Sequence, residues 1–140
     1  MVTEYQKPLP NPLHRETSRP FWEAARRHEL SMQRCTACGR LVWYPRELCP
    51  FCLSSALEWA RLSGRGRLHS YTVIHQPANP AFQGDVPYIY AIVELEEGPR
   101  IVSNLVECAP EQARIDMALE AVYDDVTAEV TLVKFRPAGQ

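Results

Sequence analysis

The chain has 140 residues, the length of one ordinary domain or of a small module joined to a modest one. Apolar residues make up 46% and charged residues 23%, proportions that argue against general disorder. Lys and Arg number 15 and Asp and Glu 17, which gives a net charge of −2. That balance argues against a dedicated nucleic-acid binder, because phosphate contacts need a basic surplus.

Nothing in the sequence predicts a membrane segment or an export signal. No apolar stretch approaches the length that crosses a bilayer. The first twenty residues are polar, contain four prolines and lack the continuous apolar core of a secretory signal. We therefore expect no membrane association and a location in the cytoplasm, where thiols stay reduced.

The N-terminal region predicts an extended arm followed by a short helix. Residues 1–16 include three closely spaced prolines, which disfavour helix. Ser18 is a candidate N-cap, and Pro20 falls in the first turn, where its missing N–H costs little.

The apolar residues of this helix repeat at helical spacing. Phe21, Ala25 and His28 fall on one face, which predicts a helix that docks on the rest of the chain. Alternatively, Phe21 and Trp22 face another chain, so both are candidate partner contacts.

Two Cys-x-x-Cys pairs, separated by ten residues, are the strongest signal in the sequence: Cys35 with Cys38, and Cys49 with Cys52. Four thiolates in this pattern suit a divalent ion with tetrahedral preference, and the spacing predicts a structural Zn²⁺ ribbon. A redox or disulfide pair and a rubredoxin-type iron site are the alternatives. The segment between the pairs predicts a short ribbon. We expect two of its residues, Trp43 and Tyr44, to cover the metal site.

After the cysteines, the hydrophobic period changes to that of strands. A turn at residues 96–99 predicts a hairpin, and residues 109–117 predict a short helix between the third and fourth strands. This order fits a five-stranded OB-fold barrel, with an SH3-like barrel as the competitor. The predicted strands cover residues 68–75, 88–95, 100–107, 119–123 and 128–135, with a turn at Asp124 and Asp125 between the last two.

Two further features are candidate ligand or partner contacts. Phe82 lies in a proline-rich loop, residues 76–87, where an aromatic is either a binding anchor or a cap on the core. Arg61, Arg65 and Arg67 form a basic cluster. This cluster either contacts phosphate groups or simply lies on a solvated turn.

The glycines beside these arginines and the fifth cysteine have plainer interpretations. Gly64 and Gly66 lack the third glycine of a dinucleotide fingerprint, so we expect them to allow a bend entering the barrel. Cys108 has no sequence cue for a neighbouring base, which favours a partly buried strand residue over a nucleophile.

In order and spacing, the chain resembles a family of acyl-CoA-associated proteins in which a rubredoxin-like zinc ribbon precedes an OB-fold. The resemblance covers residues 8–137. Asp116 stands where this family tends to have a glycine. The segments that carry the resemblance are PFWEAARRHEL, MQRCTACGR, YPRELCPFC, EWARLSGRGRLHSYTVIH, PYIYAIVELEEGPRIVSNLV and KFRP.

The resemblance implies a mainly β protein with an N-terminal arm and helix (residues 1–32), a zinc ribbon (33–60) and an OB-fold (61–137). It also implies a non-catalytic subunit of an acyl-CoA enzyme, associated with a thiolase-superfamily acyltransferase or a steroid side-chain aldolase. A partner of a hot-dog-fold enoyl-CoA hydratase is one alternative.

A single-stranded nucleic-acid module is the other alternative. Tyr71, Tyr88 and Tyr90 offer rings for base stacking, as OB barrels that bind single strands do. A nearby acidic run, however, opposes a phosphate track. That run contains Glu94, Glu96 and Glu97.

Overall fold

The computed structural model describes residues 7–9 and 16–139. The predicted arm falls largely on residues 1–6 and 10–15, and His14 with it, outside the described residues. Short 3₁₀ turns lie at Pro80–Asp85 and Pro110–Gln112. The helix and strands are α1 (Arg19–Arg26), β1 (Leu30–Cys35), β2 (Leu41–Val42), β3 (Leu57–Leu62), β4 (Arg65–Ile74), β5 (Tyr88–Leu95), β6 (Arg100–Leu105), β7 (Ala118–Asp125) and β8 (Thr131–Pro137).

Helix α1 begins where the sequence predicts, directly after Ser18, with Pro20 in its first turn. Phe21, Ala24 and Ala25 are its buried residues, and their spacing places them on one face. That face packs against β1, β7 and β8. Contacts with β1, β7 and β8 therefore stabilise the helix, because a helix of eight residues is not stable on its own.

His28 does not continue the helical face, because the helix ends two residues earlier. Its backbone takes the left-handed conformation (φ +62°) and turns the chain into β1. The imidazole stacks on Tyr123 at 5.1 Å between ring centroids, and Nε2 lies 2.9 Å from Oδ2 of Asp125. His28 thus ties the end of α1 to strand β7 of the barrel.

Strands β1, β2 and β3 form a small antiparallel sheet in the order β2-β1-β3. Leu30 pairs with Leu62 at one end, and Cys35 pairs with Leu57 at the other. β1 begins before residue 33 and β3 runs past residue 60. The predicted boundaries between the arm and helix, the zinc ribbon and the OB-fold, at residues 32/33 and 60/61, stay a prediction.

The other five strands close into a barrel with the order β4-β5-β6-β8-β7. β6 and β8 run parallel and meet at Leu105 and Phe135, while the other neighbours are antiparallel. The 3₁₀ turn at Pro110–Gln112 lies between the third and fourth barrel strands. This arrangement confirms the predicted OB-fold.

The barrel core follows the two-residue period of its strands. In β5 the buried side chains are Ile89, Ala91, Val93 and Leu95, and the residues between them point outward. Phe135 is fully buried in the same cluster. The β5 bounds match the prediction, because the apolar run is flanked by Pro87 and by the turn at residues 96–99.

The turn predicted at residues 124–125 is wrong, since both residues still belong to β7. Asp125 accepts a hydrogen bond from the Thr131 hydroxyl at 2.5 Å and interacts with His28. The hydrogen bond from the Thr131 hydroxyl is the main cause that lowers the pKa of the Asp125 carboxyl, and the contact with His28 lowers it further. The chain reverses over residues 126–130 instead.

Among the described residues, no helix is long and apolar enough to span a membrane.

Gly66 lies where β4 pairs with both β5 and β7, so the barrel closes around it. A Cβ at this position would lie 2.5 Å from the backbone carbonyl oxygen of Glu94 and 3.0 Å from a methyl of Val93. Only a residue without a side chain lets β4 approach β5 this closely. Gly66, which was expected to allow a bend, instead lies within β4 and allows this close approach between paired strands.

We predict that Gly66→Ala lowers the free energy of unfolding by about 1–3 kcal/mol, since a methyl group must displace backbone atoms. The measurement is urea unfolding of the metal-loaded protein. Gly84→Ala is the control, because a Cβ at Gly84 meets no atom within 4 Å. Equal stability of the two variants would contradict the steric account.

Asp116 occupies a left-handed turn with φ +69°, the conformation that a glycine adopts readily. Its N–H donates to the carbonyl of Leu68 at 2.8 Å, which fixes the turn against β4. Aspartate tolerates this region better than most residues, so the turn forms here without the family's glycine.

We predict that Asp116→Val costs about 1–2 kcal/mol of stability, because a β-branched residue disfavours positive φ. Asp116→Gly should stay within about 0.5 kcal/mol of the wild type, since glycine adopts positive φ without strain. Thermal unfolding of the two variants provides the comparison. A valine variant as stable as the glycine variant would show that the turn is not held at positive φ.

Candidate metal centre and its surrounding surfaces

The two cysteine pairs form knuckles with the same backbone pattern. In the first, the N–H of Gly39 donates to the carbonyl of Cys35 at 2.7 Å. In the second, the N–H of Leu53 donates to the carbonyl of Cys49 at 2.8 Å. Gly39 and Leu53 both have positive φ, +80° and +65°. Glycine adopts a positive φ readily, whereas nothing about a leucine signals a left-handed residue.

The knuckles bring the four sulfur atoms to one point. All four Sγ atoms lie within 4.8 Å of one another. Sγ of Cys35 is 3.5 Å from that of Cys52, and Sγ of Cys38 is 3.7 Å from that of Cys49. None of the four is in a disulfide. The predicted ligand set is therefore assembled as a cluster of free thiols.

Backbone N–H groups point at the buried sulfurs. Cys38 N lies 3.5 Å from Sγ of Cys35, and Phe51 N lies 3.4 Å from Sγ of Cys49. The N–H of Cys38 is the main cause that lowers the pKa of Cys35 to about 7. Such donors favour the thiolate, which is the form that binds a metal.

The four thiols also crowd one another. The N–H of Ser54 favours the Cys52 thiolate, but hydrogen bonding with Cys35, desolvation and the nearby Cys49 raise the pKa of Cys52 to about 12. Adjacent thiols therefore resist full ionisation on their own. A divalent cation at their centre removes that conflict.

The cluster fits a tetrahedral ion. Four sulfurs at about 2.3 Å from a metal are about 3.8 Å apart, close to both of the S–S separations given above. Cys35 and Cys49 are buried, and Cys38 and Cys52 are exposed at the surface. An all-thiolate donor set with every position filled suits a structural Zn²⁺ site and leaves no position for a substrate.

Val42 packs against Cys35, Cys49 and the partly buried Leu57. The predicted cover, Trp43, instead packs on the main core, with its ring centroid 5.1 Å from that of Phe21. The strand alternation explains this, because successive residues at the end of β2 point to opposite sides.

Gln33 is a buried polar residue that the sequence analysis missed. Its side-chain amide donates to the carbonyl of Arg46 at 2.8 Å and accepts from the N–H of Arg46 at 2.7 Å. The paired bonds hold the loop after β2 against β1, and this loop carries Trp43 and Tyr44. Half of the residues of β1 are polar, so nothing in the sequence marked this glutamine as buried.

That loop, helix α1 and the barrel enclose an aromatic groove of about 920 Å³. Trp22 lines it from α1, Tyr44 from the loop, and Val102 and Val133 from β6 and β8. Tyr44 is 55% exposed and Val102 42% exposed. Phe21, by contrast, is buried and forms part of the groove floor.

Phe82 lies in a neighbouring cavity of about 430 Å³, together with Tyr88 and Tyr90. It is half-buried and sits in the 3₁₀ turn of its loop, with the Lys7 ammonium 6.0 Å from its ring centroid. Lys134 lines both this cavity and the aromatic groove. The two depressions therefore share one edge on the barrel surface.

Arg61, Arg65 and Arg67 are all exposed, but they do not line one common cavity. Arg61 and Arg65 lie with Glu29 and Glu120, and Arg61 Nη1 is 3.6 Å from Glu29. The carboxylates offset the positive charge of the cluster. Contact with a phosphate stays a prediction for these residues.

Cys108 is partly buried, but it lies after the end of β6 and not within the strand. Burial raises the pKa of its thiol, with an opposing contribution from Arg114. A raised pKa reduces the thiolate fraction and favours an inert thiol, consistent with the expectation.

Models of two related domains match consecutive parts of the chain. Residues 22–58 match the rubredoxin-like zinc ribbon domain of ChsH2, and residues 59–124 match the C-terminal OB-fold domain of ChsH2. The chain belongs to the ChsH2 family. The domain match and the sulfur cluster together identify residues around the knuckles as a zinc ribbon.

Curated ChsH2-family relatives differ in length. A probable enoyl-CoA hydratase alpha subunit of Thermomonospora curvata is 43% identical over 119 residues, 84% of this chain and 37% of that protein. A DUF35 domain-containing scaffold protein of Methanothermobacter thermautotrophicus is 39% identical over 115 residues, 81% of this chain and 86% of that protein. The chain thus spans about a third of the first relative and most of the second.

A third relative is the benzoylsuccinyl-CoA thiolase subunit BbsA of Geobacter metallireducens, which is 37% identical over 73 residues, 51% of this chain and 47% of that protein. Among solved structures, the Ltp2-ChsH2(DUF35) aldolase matches with a TM-score of 0.81 and 38% identity. That match covers 95% of this chain and all of the other.

We predict that the protein binds about one zinc ion per chain and that Cys35→Ser or Cys49→Ser loses it, because both sulfurs are buried within the cluster. Metal binding supplies on the order of 10 kcal/mol in isolated zinc-finger peptides, so the ribbon should become protease-sensitive without it.

Elemental analysis and limited proteolysis measure the two effects. Cys108→Ser is the matched control, because that thiol lies outside the cluster. A Cys35→Ser protein with full zinc content and an intact ribbon would refute the ligand assignment.

Proposed function

We propose that this chain is a non-catalytic subunit that assembles with a thiolase-superfamily enzyme acting on acyl-CoA substrates. The observation that carries the proposal is the full-length match to the ChsH2 chain of the Ltp2-ChsH2(DUF35) aldolase. The names of the other relatives, a DUF35 scaffold protein and a benzoylsuccinyl-CoA thiolase subunit, support it.

In this proposal Cys35, Cys38, Cys49 and Cys52 hold a Zn²⁺ ion that folds the ribbon. The ion supplies no chemistry to a substrate, because its four positions are taken by sulfur. A reducing compartment such as the cytoplasm would keep these cysteines available to the ion.

The aromatic groove is the surface that we assign to the enzyme partner. Interfaces between proteins are enriched in Trp, Tyr and Phe, and their strongest contacts are concentrated at such residues. Trp22 and Tyr44 line the groove at the surface, and Phe21 supports them from below. Phe82, on the adjoining cavity, extends the same surface.

A hydratase partner is the second candidate function. The Thermomonospora curvata relative is named as a probable enoyl-CoA hydratase alpha subunit, and it is 43% identical to this chain. The match covers 84% of this chain and 37% of that protein.

Coexpression with a thiolase-superfamily protein and, separately, with a hot-dog-fold hydratase from the same organism tests both candidates. We expect a stoichiometric complex with the thiolase-superfamily protein by size-exclusion chromatography with light scattering. A monomeric chain that leaves the yield and turnover of that enzyme unchanged would contradict the proposal. A complex with the hydratase alone would support the second candidate.

Tyr44→Ser should weaken the complex by at least about tenfold, since it removes an exposed aromatic from the groove. Ile115→Ser is the matched control, because Ile115 is 56% exposed but does not line the groove. Equal affinities for the two variants would place the interface elsewhere.

A further inference from the structure

Three arginines from two parts of the chain line one cleft of about 470 Å³, here called the arginine cleft. Arg34 and Arg40 come from the ribbon, on either side of the first knuckle, and Arg100 begins β6 of the barrel. The turn between β5 and β6 forms the opposite wall. Arg100 lies far along the chain from Arg34 and Arg40, so the sequence alone gives no signal of this cluster.

None of these three guanidiniums forms an ion pair among the described residues. Arg34 donates from Nη1 to the carbonyl of Gly39 at 3.2 Å, and the Arg40 guanidinium stacks on the Phe51 ring at 4.7 Å. Both arginines are thus oriented by neutral groups, which leaves their charge uncompensated.

The carboxylates near the cleft are engaged elsewhere. Glu97 lines it, but its Oε2 accepts from the N–H of Ser63 at 2.7 Å. Glu94, which pairs with Arg100 across the hairpin, has Oε2 3.8 Å from Nδ1 of His69. Glu97 keeps its negative charge, but three guanidiniums line the cleft against this one carboxylate.

The thiolates of the knuckles do not occupy these arginines. Among the hydrogen bonds of the described residues, the sulfurs of Cys35 and Cys49 are contacted by backbone N–H groups and by the other cysteine sulfurs, and by no guanidinium. The same bonds also fix the knuckle that presents Arg40. The guanidiniums remain available to a ligand.

We propose that the arginine cleft binds a phosphate-bearing anion. Guanidinium groups pair with phosphate oxygens through two parallel hydrogen bonds, and three of them match a doubly charged phosphoryl group. The cleft volume lies in the range of small-ligand sites, about 300–1,000 Å³. Gly39 has no side chain to narrow the wall, and a Cβ there would meet open space.

The ligand is either free phosphate or the phosphate group of a nucleotide, and the inference does not rest on the proposed enzyme partner. Isothermal titration of the zinc-loaded chain with inorganic phosphate, ADP and adenosine separates these sources. We expect phosphate and ADP to bind and adenosine not to bind. ADP at least tenfold tighter than phosphate identifies a nucleotide site, and equal affinities identify a phosphate site.

Arg100→Gln and Arg34→Gln should each weaken that binding at least tenfold. Arg26→Gln, an exposed arginine outside the cleft, should leave it unchanged. Zinc content and thermal unfolding of each variant check that the fold is intact. Raising the salt concentration should also weaken binding, because the exposed charges are screened.

Any of the following results would overturn the proposal. The first is no heat from phosphate or ADP at millimolar concentration. The second is binding that the arginine variants do not alter, or adenosine binding equal to that of ADP. The third is arginine-dependent binding of a polyglutamate peptide in place of both phosphate compounds, which would make the cleft a protein-docking surface.

Discussion

Four sulfur atoms meeting at one point are the constraint on which the rest of the N-terminal half depends. Without a cation the thiols oppose each other's ionisation, and the pKa of Cys52 is raised to about 12. With a divalent ion, all four serve as thiolates, and two loops separated by ten residues are locked together. The ion thereby stabilises the knuckle end of the sheet, where Cys35, Val42 and Cys49 form a small cluster separate from the main core.

The ribbon in turn positions surfaces that neither module forms alone. Helix α1 packs on strands of both modules, and His28 anchors its end to Asp125 on the barrel. The aromatic groove and the arginine cleft both lie where ribbon residues face barrel residues. A protein built this way is suited to present surfaces to other molecules, while the metal stays out of the chemistry.

The sequence predicted those features whose signals are local. The Cys-x-x-Cys spacing identified the ligand set, Pro20 located the start of α1, and an apolar run followed by a turn gave the bounds of β5. The features that it missed depend on contacts between distant residues. Leu53 adopts a left-handed conformation because the second knuckle requires it, although leucine does not favour that conformation. Gly66 was predicted as a bend, but only the paired strands show that a methyl group cannot fit there.

X-ray absorption spectroscopy at the zinc edge counts the donor atoms around the ion in the intact protein. Four sulfur atoms at about 2.3 Å and no lighter donor are expected. Oxygen or nitrogen bound to the ion, or fewer than four sulfurs, would contradict a closed tetrahedral site formed by the four cysteines.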